Sequence, residues 1–111
     1  MINKNEVSST KYKYEFYIGC NDKDSKQDNS DAIIERVKLF FLEKFGFYTM
    51  SILEGAYTHN DNIVVAEKTC KVELLLNGYL TDIELICATL KELCNQESIL
   101  VTITKVFGGL Y

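Results

Sequence analysis

The sequence predicts an α+β fold, a ferredoxin-like βαββαβ two-layer sandwich with a four-stranded antiparallel sheet and two helices on one face. Three observations predict it. Several runs alternate apolar and polar residues at the period of a strand. Two segments between them repeat apolar residues at the period of a helix. The connections are short, so right-handed crossovers make this topology the economical one, and a chain of 111 residues needs a single core.

The elements follow in order. Residues 1–10 are polar and patternless and read as a flexible tail. In the first strand, Lys11–Gly19, residues Tyr12, Tyr14, Phe16 and Ile18 fall on one face and Lys13, Glu15 and Tyr17 on the other. Asn21–Ser30 is a polar loop ending in residues able to cap a helix, Ser30 or Asp31. Ile33, Ile34, Val37, Phe40, Phe41 and Phe45 give the first helix a broad apolar face, and Gly46 is placed as its left-handed stop. Phe47–Tyr57 and Ile63–Leu76 read as a hairpin across the turn Thr58–Asn62. Thr81 and Glu84 have capping-box spacing ahead of a second helix lined by Ile83, Ile86, Cys87, Leu90, Leu93 and Cys94. Ile99, Val101 and Ile103 alternate in the last strand. The domain spans 11–107, and 108–111 form a short C-terminal tail.

Composition narrows the function classes. The apolar fraction is 47% and the charged fraction 25%, ordinary for a globular protein. A net charge of −4 with scattered lysines lacks the basic stripe that a phosphate backbone requires, which argues against nucleic acid. No apolar run approaches the length of a membrane span. The polar start has no signal-peptide pattern, and Cys20, Cys70, Cys87 and Cys94 include no C-x-x-C pair. They read as reduced, mostly buried thiols of a cytoplasmic protein.

The topology brings three connections to one end of the sheet: Asn21–Ser30, Thr58–Asn62 and Asn95–Ser98. Asp22, Lys23, Asp24, Asp28, His59, Asn60, Asp61, Gln96 and Glu97 are therefore the candidate ligand- or partner-binding residues, on loops held by a rigid scaffold. The first helix begins there too, and its free amides favour an anion. Asp22-x-Asp24 with Asp28 starts like a calcium loop, but no glycine or closing glutamate follows, so no metal site is assigned. His59 is the sole histidine and, oriented by Asp61 or Asp24, would be the base of a small hydrolase. Cys20, at the end of the first strand, is the one thiol near free helix amides, where a lowered pKa would be possible. Glu54, and Glu67 and Glu73 with Lys71 between them, read as the wet side of strands or as paired charges in an interface. The second strand should be an outer edge that needs covering, which makes Phe47, Tyr48 and Tyr57 the candidate oligomer interface. No nucleophile, base and oxyanion donors assemble, so no catalytic residue and no cofactor are assigned, and the reading leans away from an enzyme.

The segments GCNDKDSKQD, GAYTHNDNIVVAEKTCKVELL and NQES, with the element order, resemble a family of small uncharacterised proteins of phages and prophages of Gram-positive bacteria. The resemblance covers residues 12–106. It implies a phage-type accessory protein of ferredoxin-like fold and names no catalytic residue. The leading expectation is thus a non-enzymatic protein that binds a host protein or a small anionic ligand, with an anti-defence role, as a homodimer. The alternatives are a small metal-dependent or His59-based hydrolase and a purely structural homo-oligomer subunit.

Overall fold

The structure is a computed structural model that describes residues 9–110. The elements are β1 (Ser9–Gly19), α1 (Ser30–Phe45), β2 (Thr49–Thr58), β3 (Val64–Leu76), α2 (Ile83–Cys94) and β4 (Leu100–Gly108). The sheet order is β2-β3-β1-β4, and every neighbouring pair is antiparallel. This is the predicted βαββαβ sandwich, with β2 at one edge as expected.

Alternation builds the core. Tyr14, Phe16 and Ile18 of β1 and Cys70, Val72 and Leu74 of β3 are fully buried on one sheet face. Ile33, Val37 and Phe41 of α1 and Ile86, Leu90 and Cys94 of α2 close over them. The rings of Phe16 and Phe41 meet edge to face at 5.1 Å. The Tyr14 hydroxyl, deep in this layer, accepts a 2.7 Å bond from the Leu80 N–H. Among the described residues no helix covers the opposite sheet face, which carries paired charges: Lys13 to Glu73 at 3.0 Å and Lys71 to Glu15 at 2.9 Å. Gly46 stops α1 in the left-handed conformation, its N–H donating to the Leu42 carbonyl at 2.9 Å.

Several details differ from the sequence expectations. Neither Ser30 nor Asp31 caps α1. Asn29 is the N-cap without a side-chain bond, and Asp28 accepts from the Ser30 N–H at 2.9 Å. The Thr81–Glu84 capping box does not form, because α2 starts at Ile83 with Asp82 as its N-cap. Leu93, expected on the packed side of α2, is 38% exposed, and Ile103 is 39% exposed because it sits on the outer strand β4. Ser9 and Thr10, placed in the tail by their polarity, pair with Gly108 and Phe107 of β4. A neighbouring strand with free backbone groups recruits them whatever their side chains. Residues 1–8 of that tail, and Tyr111, lie outside the described residues.

β1 ends at Gly19, opposite Thr69, while β2 and β3 continue together to Thr58 and Val64. The hairpin therefore overhangs the sheet, and the described residues extend 60 × 26 × 23 Å. The three connections predicted to share an end meet beside this overhang. No helix among the described residues is long and apolar enough to cross a membrane.

Candidate functional site

The loop after β1 is organised by its backbone. Cys20 N–H donates to the Lys68 carbonyl at 3.0 Å, Asn29 N–H to the Cys20 carbonyl at 2.8 Å, and Asp22 N–H to the Gln27 carbonyl at 2.8 Å. The Asp22 carboxylate accepts from the amides of Asp24 at 3.0 Å and Ser25 at 2.9 Å, an Asx turn. Its other oxygen accepts from Asn95 Nδ2 at 2.6 Å, and the same amide group donates to Asp24 Oδ2 at 3.0 Å. These donors, Asn95 first, hold the Asp22 pKa down to about 2.

The next residue in the link to β4 crosses the same gap. Gln96 Nε2 donates to the carbonyls of Asn21 at 2.8 Å and Cys94 at 3.2 Å. Both amide hydrogens are thereby used, which leaves Gln96 Oε1 as the remaining acceptor of that side chain. Lys26, Asn62 and Asn95 are the non-glycine residues of left-handed backbone among the described residues, and they fall one in each of the three connections at this end. Local backbone strain of this sort is concentrated where a fold holds a functional arrangement.

These walls enclose a cavity of about 220 Å³. Asn21, Asp22, Lys23 and Lys26 form one side, and Gln96, Glu97 and Ser98 the other. Gly19, Tyr57 and Glu67 supply the floor and the far wall. A Cβ placed on Gly19 would lie 3.0 Å from both Gln96 Oε1 and Glu67 Oε1. Two oxygen acceptors therefore converge over a residue with no side chain. Glu67 forms no ion pair with any described cation, unlike Glu15 and Glu73. Tyr57 stands opposite Val65 in the hairpin, on the same face as Glu67, which is opposite Gly55.

The structure assembles part of the predicted set. Asp22, Lys23, Gln96 and Glu97 line the cavity, and Asp24 braces it through Asn95. Asp28 does not line it: its carboxylate is engaged by Ser30, which lowers its pKa, and it faces a separate cavity of about 200 Å³ with Glu54 and Lys68. That bond also occupies the first amide of α1 on which an anion was expected to rest. His59, Asn60 and Asp61 sit at the hairpin tip. His59 Nδ1 is 3.5 Å from Asp61 Oδ1, both side chains are more than half exposed, and Asp61 also accepts from the Ile63 N–H at 3.0 Å. His59 reaches only a smaller cavity beside Tyr57 and Lys26. Among the described residues no group of three or more His, Cys, Asp or Glu side chains is arranged to hold a metal ion.

Cys20 is buried, and burial raises its pKa, so it is a plain buried thiol rather than a thiolate stabilised by the helix amides. Phe47, Tyr48 and Tyr57 do not form one patch. Tyr48 packs against the core beside Phe47, whereas Tyr57 lies at the far end of β2, about 30 Å along an extended strand, and is 49% exposed in the cavity wall.

The sequence reading passed over Gly19, Asn95 and Ser98 as site residues, and it took Glu67 for the wet side of a strand or a paired charge in an interface. One signal was available. Gly55 and Gly19 flank an acidic position near the end of two strands, and glycine in a strand marks space kept open.

No family model and no curated protein matches the chain. Solved structures do. One is a phage SAM lyase in complex with S-methyl-5′-thioadenosine, at TM-score 0.60 and 15% identity over 90% of this chain and 90% of that one. Another is a phage SAM lyase in the apo state, at TM-score 0.61 and 17% identity over 90% of this chain and 86% of that one. At these identities the likeness is one of fold.

Proposed function

We propose that this protein is a phage-type accessory enzyme that binds S-adenosylmethionine in the cavity over Gly19 and splits off S-methyl-5′-thioadenosine. The observation that carries the reading is Glu67: a carboxylate without a cation partner among the described residues, turned over Gly19 beside Gln96 Oε1, in a cavity walled by Tyr57. The fold shared with phage SAM lyase along nearly the whole chain supports it.

The chemistry suits the residues. S-Adenosylmethionine carries a sulfonium and an ammonium, and a site where Asp22, Glu67 and Glu97 outnumber Lys23 and Lys26 favours cationic groups over phosphates. An aromatic face such as Tyr57 adds attraction for a sulfonium. In the cleavage, the substrate's own carboxylate oxygen bonds to the γ-carbon as the carbon–sulfur bond breaks. The sulfur keeps the electron pair and leaves as a neutral thioether, and a lactone remains. Opposite charges vanish in that step, so a site that excludes water assists it. The protein need supply no nucleophile. Glu67 would hold the ammonium and the sulfonium in the reactive geometry, and holding alone can account for a large part of a barrier. This departs from the non-enzymatic binder and the anionic ligand expected from the sequence, and it keeps the phage setting. Removing a methyl donor would deprive methylating defence enzymes of their co-substrate, so the anti-defence role also survives.

The test is direct. The purified protein is incubated with S-adenosylmethionine and S-methyl-5′-thioadenosine is followed by chromatography. Product formation that falls by about a hundredfold or more in Glu67→Gln supports the assignment. No product and no binding by the wild-type chain would sink it, and full activity in Glu67→Gln would move the chemistry elsewhere.

A further inference from the structure

We propose that Asn95 is the positioning residue of this site, a latch that sets the distance between its two walls; the role rests on the reading of the cavity as a ligand site. One wall belongs to the loop after β1 and the other to the link before β4, and the residues that meet are 73 apart in sequence. Asn95 joins them three times. Its Nδ2 donates to Asp22 Oδ1 at 2.6 Å and to Asp24 Oδ2 at 3.0 Å, and its carbonyl accepts from the Lys23 N–H at 3.2 Å. No salt bridge links the two walls among the described residues, and Lys23 and Asp24 are exposed, so packing contributes little there.

The latch acts through Gln96. With the walls held, Gln96 Nε2 reaches the Asn21 carbonyl, and its Oε1 is kept over Gly19 beside Glu67. With the walls free, that bond lengthens, the amide rotates, and the paired acceptors no longer converge. Asparagine meets both demands of the position. It tolerates the left-handed backbone at φ 50° and ψ 56°, and it carries two side-chain hydrogens for two carboxylates. Glycine meets the first demand only. Aspartate also adopts this backbone but would set a third carboxylate against Asp22 and Asp24.

The test uses Asn95→Gly, Asn95→Asp, and Asn95→Asp combined with Asp24→Asn, in the full chain, since Asp24 meets Asn95 but does not line the cavity. Amide exchange reads the latch, and calorimetric binding of S-adenosylhomocysteine, which keeps the substrate's ammonium but has no sulfonium to expel, reads the site. In Asn95→Gly the core amides of β1 and β3 keep their protection, the amides of Lys23, Asp24 and Ser25 exchange about tenfold faster, and binding weakens about tenfold, the scale of one lost charge-assisted bond. Asn95→Asp is more severely affected, and the added Asp24→Asn recovers binding by restoring a donor opposite an acceptor. A residue that merely ends α2 would not be rescued from the loop. Loop exchange and binding unchanged in Asn95→Gly overturn the proposal, as does failure of the double variant to improve on Asn95→Asp. A wild-type chain that binds no S-adenosylhomocysteine overturns the cavity reading instead, and equal loop exchange in Asn95→Gly then still overturns the latch.

Discussion

Gly19→Ala separates the site from the fold. The new Cβ would sit 3.0 Å from Gln96 Oε1 and 3.0 Å from Glu67 Oε1, closer than carbon and oxygen rest. Both obstructing atoms are the ends of flexible side chains, so they move and the strand does not. The φ of Gly19 lies outside the left-handed region, so alanine is not strained there. Alanine reduces the freedom of the unfolded chain, which stabilises by about 0.4–1 kcal/mol. Against that stands the Gln96 Nε2 bond to Asn21, worth about 1 kcal/mol net, which is lost when Gln96 withdraws. The two nearly cancel, and the melting temperature should stay within about 4 °C of wild type. The cavity floor, however, is filled and its acceptors are driven apart. Binding of S-methyl-5′-thioadenosine should fall about tenfold or more, since about 1.4 kcal/mol is tenfold. Differential scanning calorimetry and isothermal titration read the two quantities on one preparation. A melting temperature lowered by about 12 °C, or a loss of about 3 kcal/mol, would mean that the side chains cannot yield. Wild-type affinity in a stable variant would mean that nothing binds over Gly19.

Other expectations follow from the same geometry. Tyr14→Phe removes the acceptor of the Leu80 N–H in the core and should cost about 1–3 kcal/mol in urea denaturation. Phe41→Ala deletes the ring that meets Phe16 and should cost about 3–5 kcal/mol in the same measurement. Asp22, Asp28 and Glu15 all have lowered pKa values in the fold, Asp22 about 2, so their stabilisation is complete above the unfolded carboxylate range and is lost as pH falls through the folded values; acid melts should show this loss, and Asp22→Asn should flatten it. Burial pushes the Cys70 thiol up to about 12 and the Cys94 thiol up to about 11, so under native conditions a maleimide followed by mass spectrometry should label the less buried Cys87 first. Native mass spectrometry should find a homodimer if the exposed outer strand β2 is covered by a second copy, and a monomer would remove that role from it.

The sequence was most legible where one physical rule acts alone. Tyr14, Phe16 and Ile18 could be read as a buried row because the pleat gives every second residue the same face. Gly46 could be read as a helix stop because few residues accept φ 84°. The end of the sheet that gathers the loops was legible because strand direction fixes it. Legibility failed where several hydrogen-bonding groups compete for one partner, whether near in the chain or far apart in it. Asp28 looked free, but the Ser30 amide takes it. Ser30 looked like a cap, but it is itself buried under the loop. Asn95 looked like an ordinary helix end, and only the folded chain puts its amide against Asp22 and Asp24.

Glu67 shows why the site falls where it does. Along the bare face of β3, the charged residues come at every second or fourth position: Glu73, Lys71, then Glu67. Glu73 finds Lys13 and Lys71 finds Glu15, because β1 runs beside them with a complementary charge. Glu67 lies one step past the last rung, where β1 has ended at Gly19 and the ladder is shared with β2 alone. Its partner across β2 is Gly55, which brings no side chain. Its neighbour on the other side is the loop, whose amides are already used by Asp22. The overhang of the hairpin thus leaves one acid of the row without a cation partner among the described residues, in a half-enclosed space, and the proposed cationic ligand would be its complement. If that reasoning holds, adding a lysine at Gly55 should place an ammonium against Glu67, leave the fold intact because nothing but the Glu67 carbonyl lies within 4 Å, and abolish ligand binding. Undiminished binding in Gly55→Lys would mean that the free carboxylate of Glu67 is not what the ligand meets.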